Sequence, residues 1–165
     1  MLNENIKNIL PITSQVNKEG ILEIGGCNLE EISNIYGTPL YVYDESTIRE
    51  ICKEFVNEFK QSYPNSHISY SSKAFSSPHL TKILEDENLG IDVVSGGELS
   101  VLQYSKFPSN KVNFHGNNKS YEELKQAVDW DIETITLDSF DEISLLNKIA
   151  SESSKTQKVL IRVSP

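Results

Sequence analysis

HISYSSKAF, residues 67–75, decides how the rest of the chain is read. A short β-rich run ends in Lys73 and is followed at once by Ser76, Ser77 and Pro78, which open a helix. A lysine at the carboxyl end of a parallel strand points into the mouth of an α/β structure, where active sites sit. An amine placed there can form a Schiff base with a carbonyl compound. A lone strand-end lysine is more often simply solvated, so the strands that follow must decide.

Downstream of residue 67, strand and helix alternate at a steady interval of about twenty residues, the mark of repeated βα units and a parallel sheet. The predicted strands are ISYSS (68–72), IDVVS (91–95), KVNFH (111–115), TITLD (134–138) and VLIRV (159–163). Ser77-Pro78 reads as an N-cap with proline at the first helical position. Ser120-x-x-Glu123 and Ser139-x-x-Glu142 read as capping boxes ahead of helices over Glu122–Val128 and Asp141–Ala150. Gly96-Gly97 reads as a tight turn or an anion-binding start before a helix over Glu98–Lys106.

Side chains on a strand alternate faces. One face of the five runs is apolar: Ile68 and Tyr70; Ile91 and Val93; Val112 and Phe114; Ile135 and Leu137; Val159, Ile161 and Val163. That face is expected under the helices. The other carries Ser69, Ser71 and Lys73; Asp92 and Val94; Asn113 and His115; Thr134, Thr136 and Asp138; Leu160, Arg162 and Ser164. Strands of a doubly wound sheet are covered on both faces and tend to be apolar throughout. A face that turns polar towards the carboxyl end of successive strands fits a closed barrel with a polar ligand at its mouth. Lys73, Asp92, His115 and Arg162 are then expected to converge on one ligand. Lys73 supplies the amine, Arg162 a permanent charge for anionic oxygen, Asp92 an orienting carboxylate and His115 a ring to stack or bond. The cluster suits an anionic cofactor bearing an aldehyde. A hydrogen-bonded network of structural purpose alone is the competing reading.

Before residue 67 the pattern differs. Gly20–Ile24 and Pro39–Tyr43 (PLYVY) read as strands with a short helix, Asn28–Tyr36, between them. Asp44 is expected to cap a longer helix over Glu45–Tyr63, and residues 1–19 to form a loosely held terminus. The 165 residues suffice for one domain with a real core, and 38% hydrophobic with 24% charged content suits a soluble globular protein. A net charge of −9 argues against nucleic acid as a partner. No run is long and apolar enough for a membrane span, and the polar first twenty residues carry no secretory core, so a cytoplasmic location is expected. Cys27 and Cys52 have no paired spacing, so no disulfide or metal site is expected.

GTPLYVYD (37–44), YSSKA (70–74), GIDVVSGGEL (90–99), FHGNNKS (114–120) and LIRVSP (160–165) together resemble the diaminopimelate decarboxylases, within the alanine-racemase-like group of pyridoxal-phosphate enzymes. YSSKA alone fits the whole group; FHGNNKS joined to DVVSGGEL points to the diaminopimelate branch. The resemblance implies an α/β fold: a (β/α)8 TIM-type barrel with a carboxyl-terminal β domain, as a homodimer. On that reading residues 1–38 are an amino-terminal segment that joins the β domain. Residues 39–165 are then the first part of the pyridoxal-phosphate-binding barrel, about five βα units. Lys73 carries the cofactor, meso-diaminopimelate displaces Lys73 from it, and the α-carboxylate leaves as carbon dioxide to give lysine. Asp92 and Arg162 match residues near the cofactor, and Glu98 is a further neighbour. The rest of the barrel, the stacking histidine, the phosphate-binding glycine-rich loop and the substrate-binding arginines are expected outside these 165 residues. A decarboxylase for another basic amino acid or a polyamine precursor, and a non-catalytic half-barrel, are the competing readings.

Overall fold

The structure, a computed structural model, describes residues 9–163. Ser164 and residues 1–8 of the expected terminus lie outside the described residues. The chain divides into two compact units, Met1–Asn57 and Glu58–Pro165.

The first unit holds a small antiparallel sheet: β1 (Gln15–Val16), β2 (Leu22–Ile24) and β3 (Cys27–Asn28), in that order. Gly25 and Gly26 join β2 to β3 with φ of 59° and 76°; positive φ at both central residues is what a two-residue hairpin with matching twist requires. α1 (Leu29–Tyr36) starts where the Asn28 side chain accepts the Glu30 and Glu31 amides. Contrary to a wholly loose amino terminus, residues 12–17 are tied down. The Ile12 amide donates to Thr47 Oγ1 (2.9 Å), Thr13 Oγ1 to Asp44 Oδ2 (2.9 Å), and β1 pairs with β2. Asp44 caps α2 (Glu45–Ser62) by accepting the Thr47 amide (3.2 Å) and the Thr47 hydroxyl. Burial opposes the Asp44 charge, but the bonds from Thr47 and Thr13 outweigh it and hold the carboxyl below its ordinary range. PLYVY forms no strand. Its composition is strand-like, but among the described residues no neighbouring strand pairs with it, and a strand exists only as part of a ladder. Cys52 is buried, as expected of an isolated thiol, whereas Cys27 is exposed on β3.

The second unit repeats one design: β4 (Ser69–Ser71), α3 (Pro78–Asp86), β5 (Gly90–Val93), α4 (Gly96–Tyr104), β6 (Val112–Phe114), α5 (Tyr121–Asp129), β7 (Thr134–Leu137), α6 (Phe140–Glu152) and β8 (Val159–Ile161). All five strands are parallel and lie in sequence order, β4-β5-β6-β7-β8. Sequential order is that of a barrel wall; a doubly wound sheet would reverse partway. The predicted apolar face is the core side: Ile91, Val93, Val112, Phe114, Ile135 and Leu137 are buried under Leu84, Leu99, Leu102, Leu124, Val128, Leu146 and Ile149 of the helices. Val159 and Ile161 depart from this, at 42% and 71% exposed, because β8 is an edge strand and α6 covers β7 beside it.

Each helix of this unit starts and stops by the same chemistry. Ser77, Ser95, Ser120 and Ser139 are N-caps, each hydroxyl accepting the amide of the third helical residue. α4 therefore begins at Gly96, directly after Ser95, so the two glycines belong to its first turn. At the other end Asn88, Lys106, Asp131 and Ser154 take positive φ (63°, 58°, 55° and 52°). The next amide then closes back on the helix: Leu89 to Leu84 O, Phe107 to Leu102 O, Ile132 to Ala127 O, Lys155 to Ala150 O. Leu89, Phe107 and Ile132 are buried, which is the apolar contact that accompanies this stop.

Candidate active site

The polar face of the sheet is a connected network. Asn113 on β6 is its hub: Nδ2 donates to Asp92 Oδ1 (3.0 Å) and Ser69 Oγ (3.2 Å), and Oδ1 accepts from Thr134 Oγ1 (2.7 Å). With one oxygen of Asp92 held by Asn113, the other lies 3.6 Å from His115 Nε2. That separation is too long for a hydrogen bond and becomes an ion pair when the imidazole is protonated. His115 Nδ1 lies 3.3 Å from Thr136 Oγ1.

Of the four residues expected to converge, Asp92 and His115 are thus brought together. Arg162 pairs instead with Asp138, its Nη1 3.3 Å from Oδ1 beyond the ends of β8 and β7. A shallow cleft of about 150 Å³ lies there, lined by Asp138, Phe140, Ile161 and Arg162 among others. Lys73 sits in the turn after β4, exposed, and its ammonium makes no hydrogen bond or ion pair among the described residues. A wider concavity, about 620 Å³, lies in the first unit along Asn17, Glu23, Cys27 and Glu31 and contains none of the predicted residues.

The second lysine of the motifs, Lys119, is the opposite of Lys73. Its side chain is 1% exposed. Its Nζ donates to Gly116 O (2.6 Å) and Thr136 O (2.8 Å), pairs with Glu142 Oε1 at 3.0 Å, and lies 5.7 Å above the Phe114 ring. Two carbonyls and one carboxylate therefore surround the ammonium. The pair draws Glu142 away from the expected capping box: Glu142 accepts the Asp138 amide (2.9 Å), one residue before the cap. Only Ser120 and Glu123 close the reciprocal box.

The glutamates at the third helical position share a second task. Each ties its own loop to the loop of the preceding unit. Glu98 Oε2 accepts the Val94 amide (2.7 Å) and the Ser72 hydroxyl (2.6 Å). Glu123 Oε1 accepts the Gly96 amide (2.8 Å), and Glu142 holds Lys119. The anion at the α4 start is therefore Glu123 itself, and a Cβ on Gly96 would come within 3.0 Å of its Cγ. Bonds from the Ser120 and Gly96 amides hold the Glu123 carboxyl below its ordinary range. Sequence reasoning missed Ser72 and Lys119. Ser72 carried a signal, a hydroxyl continuing the alternation Ile68, Tyr70 on the apolar face. Lys119 carried none, since a loop lysine is by default solvated.

The model of the pyridoxal-dependent decarboxylase family, pyridoxal binding domain, matches residues 47–165. A diaminopimelate decarboxylase of Bacillus methanolicus is 44% identical over 153 residues, 93% of this chain and 35% of that protein. Among solved structures, diaminopimelate decarboxylase of M. jannaschii superposes with a TM-score of 0.83 at 32% identity, covering 93% of this chain and 36% of that one. The same enzyme in complex with L-lysine gives 0.81 at 33%, covering 91% and 35%. The chain spans about a third of the length of the relatives it matches, and its five parallel strands with the four helices between them correspond to the amino-terminal part of their TIM-type barrel. From the matched family model over most of its length, the chain belongs to the pyridoxal-dependent decarboxylase family, in its pyridoxal binding domain.

Proposed function

We propose that this chain is the amino-terminal part of a pyridoxal-phosphate-dependent enzyme that decarboxylates meso-diaminopimelate to L-lysine. The observation that carries the substrate is the 44% identity with a diaminopimelate decarboxylase. What the geometry adds is Lys73: an exposed amine just past the end of a parallel strand, uncommitted to any acceptor among the described residues, inside the matched region. The donor set fits an anionic aldehyde cofactor. Lys73 is the amine that holds it. Asp92, oriented by Asn113, and His115, set between Asp92 and Thr136, line the polar face nearby. Arg162 offers a permanent cation for anionic oxygen. When bound, the pyridine ring supplies the electron sink that lets an α-carboxylate leave as carbon dioxide. In the complete enzyme we place residues 1–38 with a β domain and residues 39–165 in the barrel, and we expect a cytoplasmic homodimer acting on a free amino acid.

Borohydride reduction of the complete cofactor-loaded enzyme, followed by peptide mapping, tests the lysine. The adduct is expected on the Lys73 peptide; an adduct on Lys119 or any other lysine overturns the assignment. Assay against diaminopimelate, ornithine, arginine and carboxynorspermidine tests the substrate. Preference for any of the last three moves the protein to the decarboxylases of other basic amino acids or polyamine precursors.

A further inference from the structure

The turn that carries Lys73 is held on both sides while the lysine itself is left free. Upstream, the Ser72 amide donates to Asp92 O (3.0 Å). The Ser72 hydroxyl, 5% exposed as a residue, lies 2.8 Å from the same carbonyl and 2.6 Å from Glu98 Oε2. Downstream, the Ala74 amide donates to Ser71 O (3.2 Å) and Tyr70 Oη to Phe75 O (3.0 Å). A hydroxyl buried for packing alone would be satisfied by the Asp92 carbonyl. Here a carboxylate arrives as well, from 26 positions along the chain, at a distance typical of a charge-assisted bond. The same Oε2 accepts the Val94 amide (2.7 Å), so one oxygen fixes the end of β5 and the turn after β4 together.

We infer that Ser72 and Glu98 are positioning residues for the Lys73 amine. They anchor its backbone against the strand that bears Asp92 and leave its nitrogen uncommitted. The inference rests on the reading that Lys73 carries the cofactor. An anchored Cα with a free Nζ is the arrangement a nucleophilic amine needs, since a displacement of about 1 Å at a reacting group can cost about a hundredfold in rate. Glu123 supplies an internal control. It occupies the same helical position and laces neighbouring loops by the same type of bond, but it ends on Gly96, away from the Lys73 turn.

The test uses the complete enzyme stripped of cofactor. Added pyridoxal 5'-phosphate is followed by near-visible absorbance as Lys73 adds to the aldehyde and water leaves. Borohydride then delivers hydride to the C=N bond, fixing the adduct as a secondary amine for mapping. Ser72→Ala, Glu98→Ala, Glu98→Gln and Glu123→Ala are compared with the parent, and thermal unfolding is recorded for each. Glu98→Ala and Ser72→Ala are expected to slow capture by about tenfold or more. Glu98→Gln is expected to recover most of the rate, because its Oε1 can accept both bonds. Glu123→Ala is expected to lose stability yet capture at the parent rate. Capture by Glu98→Ala at the Glu123→Ala rate overturns the inference and leaves the role of Lys73 standing. Should Glu98→Ala fail to fold, Ser72→Ala decides alone, since it removes only the hydroxyl and keeps the amide bond to Asp92. An adduct on another lysine in the parent enzyme overturns the functional reading and the inference together.

Discussion

Exchanging Lys119 for methionine keeps the length and most of the volume of the side chain and removes its charge. The cost follows from what remains behind. Glu142 stays 5% exposed with only the Asp138 amide (2.9 Å) and the Lys119 amide (3.4 Å) as donors, and Gly116 O and Thr136 O each lose a partner. Charge-assisted bonds count for about 1.5–3 kcal/mol singly, but two bonds and an ion pair on one ammonium are not independent. Breaking one side of a buried ion pair costs about 3–5 kcal/mol, a large part of the stability of an ordinary domain. At about 2–4 °C per kcal/mol, the melting temperature should fall by about 6–20 °C. Urea unfolding of parent and variant, with the slope unchanged, measures the difference. Lys119→Met with Glu142→Gln should regain about 2 kcal/mol or more, since the glutamine still accepts the Asp138 amide and carries no charge. A single-variant loss below about 1 kcal/mol, or a double variant no better than the two losses combined, would show that the pair is not buried as described.

Lys106→Gly should stabilise the protein by several tenths to about 1 kcal/mol, because glycine removes the cost of φ 58° at the α4 stop while adding some freedom to the unfolded chain; a loss on urea unfolding would contradict the assigned helix stop. The depressed Glu123 carboxyl contributes stability that is fully present above the ordinary glutamate value of about 4.3 and is lost as pH falls through its lower folded value. The stability gap between the parent and Glu123→Gln should therefore narrow below about pH 4, and a gap independent of pH would refute the cause given for the shift.

The second unit was legible in the sequence because its signals are local. Two-residue alternation marked β5, β6 and β7, and serine caps marked α3, α5 and α6, since neither depends on a distant partner. What was not legible depends on neighbours. PLYVY has the composition of a strand but no ladder to join, and Val159 and Ile161 have the alternation of a covered face at an edge where α6 covers β7 instead. At the site, alternation put Asp92, His115 and Arg162 on one face, but not with whom each would pair. Asp138 takes Arg162 because the two lie at the same level of adjacent strand ends, whereas Asp92 lies two strands away from β7. Glu142 matched the capping spacing and was claimed by Lys119, a partner 23 positions back that no spacing rule reaches.

The lacing of each loop to the one before it bears on how this rim could be re-engineered. A loop exchanged alone from a related barrel would bring its own cap but sever the bond its neighbour sends into it. Ser72, Gly96 and Lys119 each send such a bond to the glutamate of the following loop. Loops grafted in adjacent pairs, accepting glutamate with the residue that donates to it, keep the seam closed.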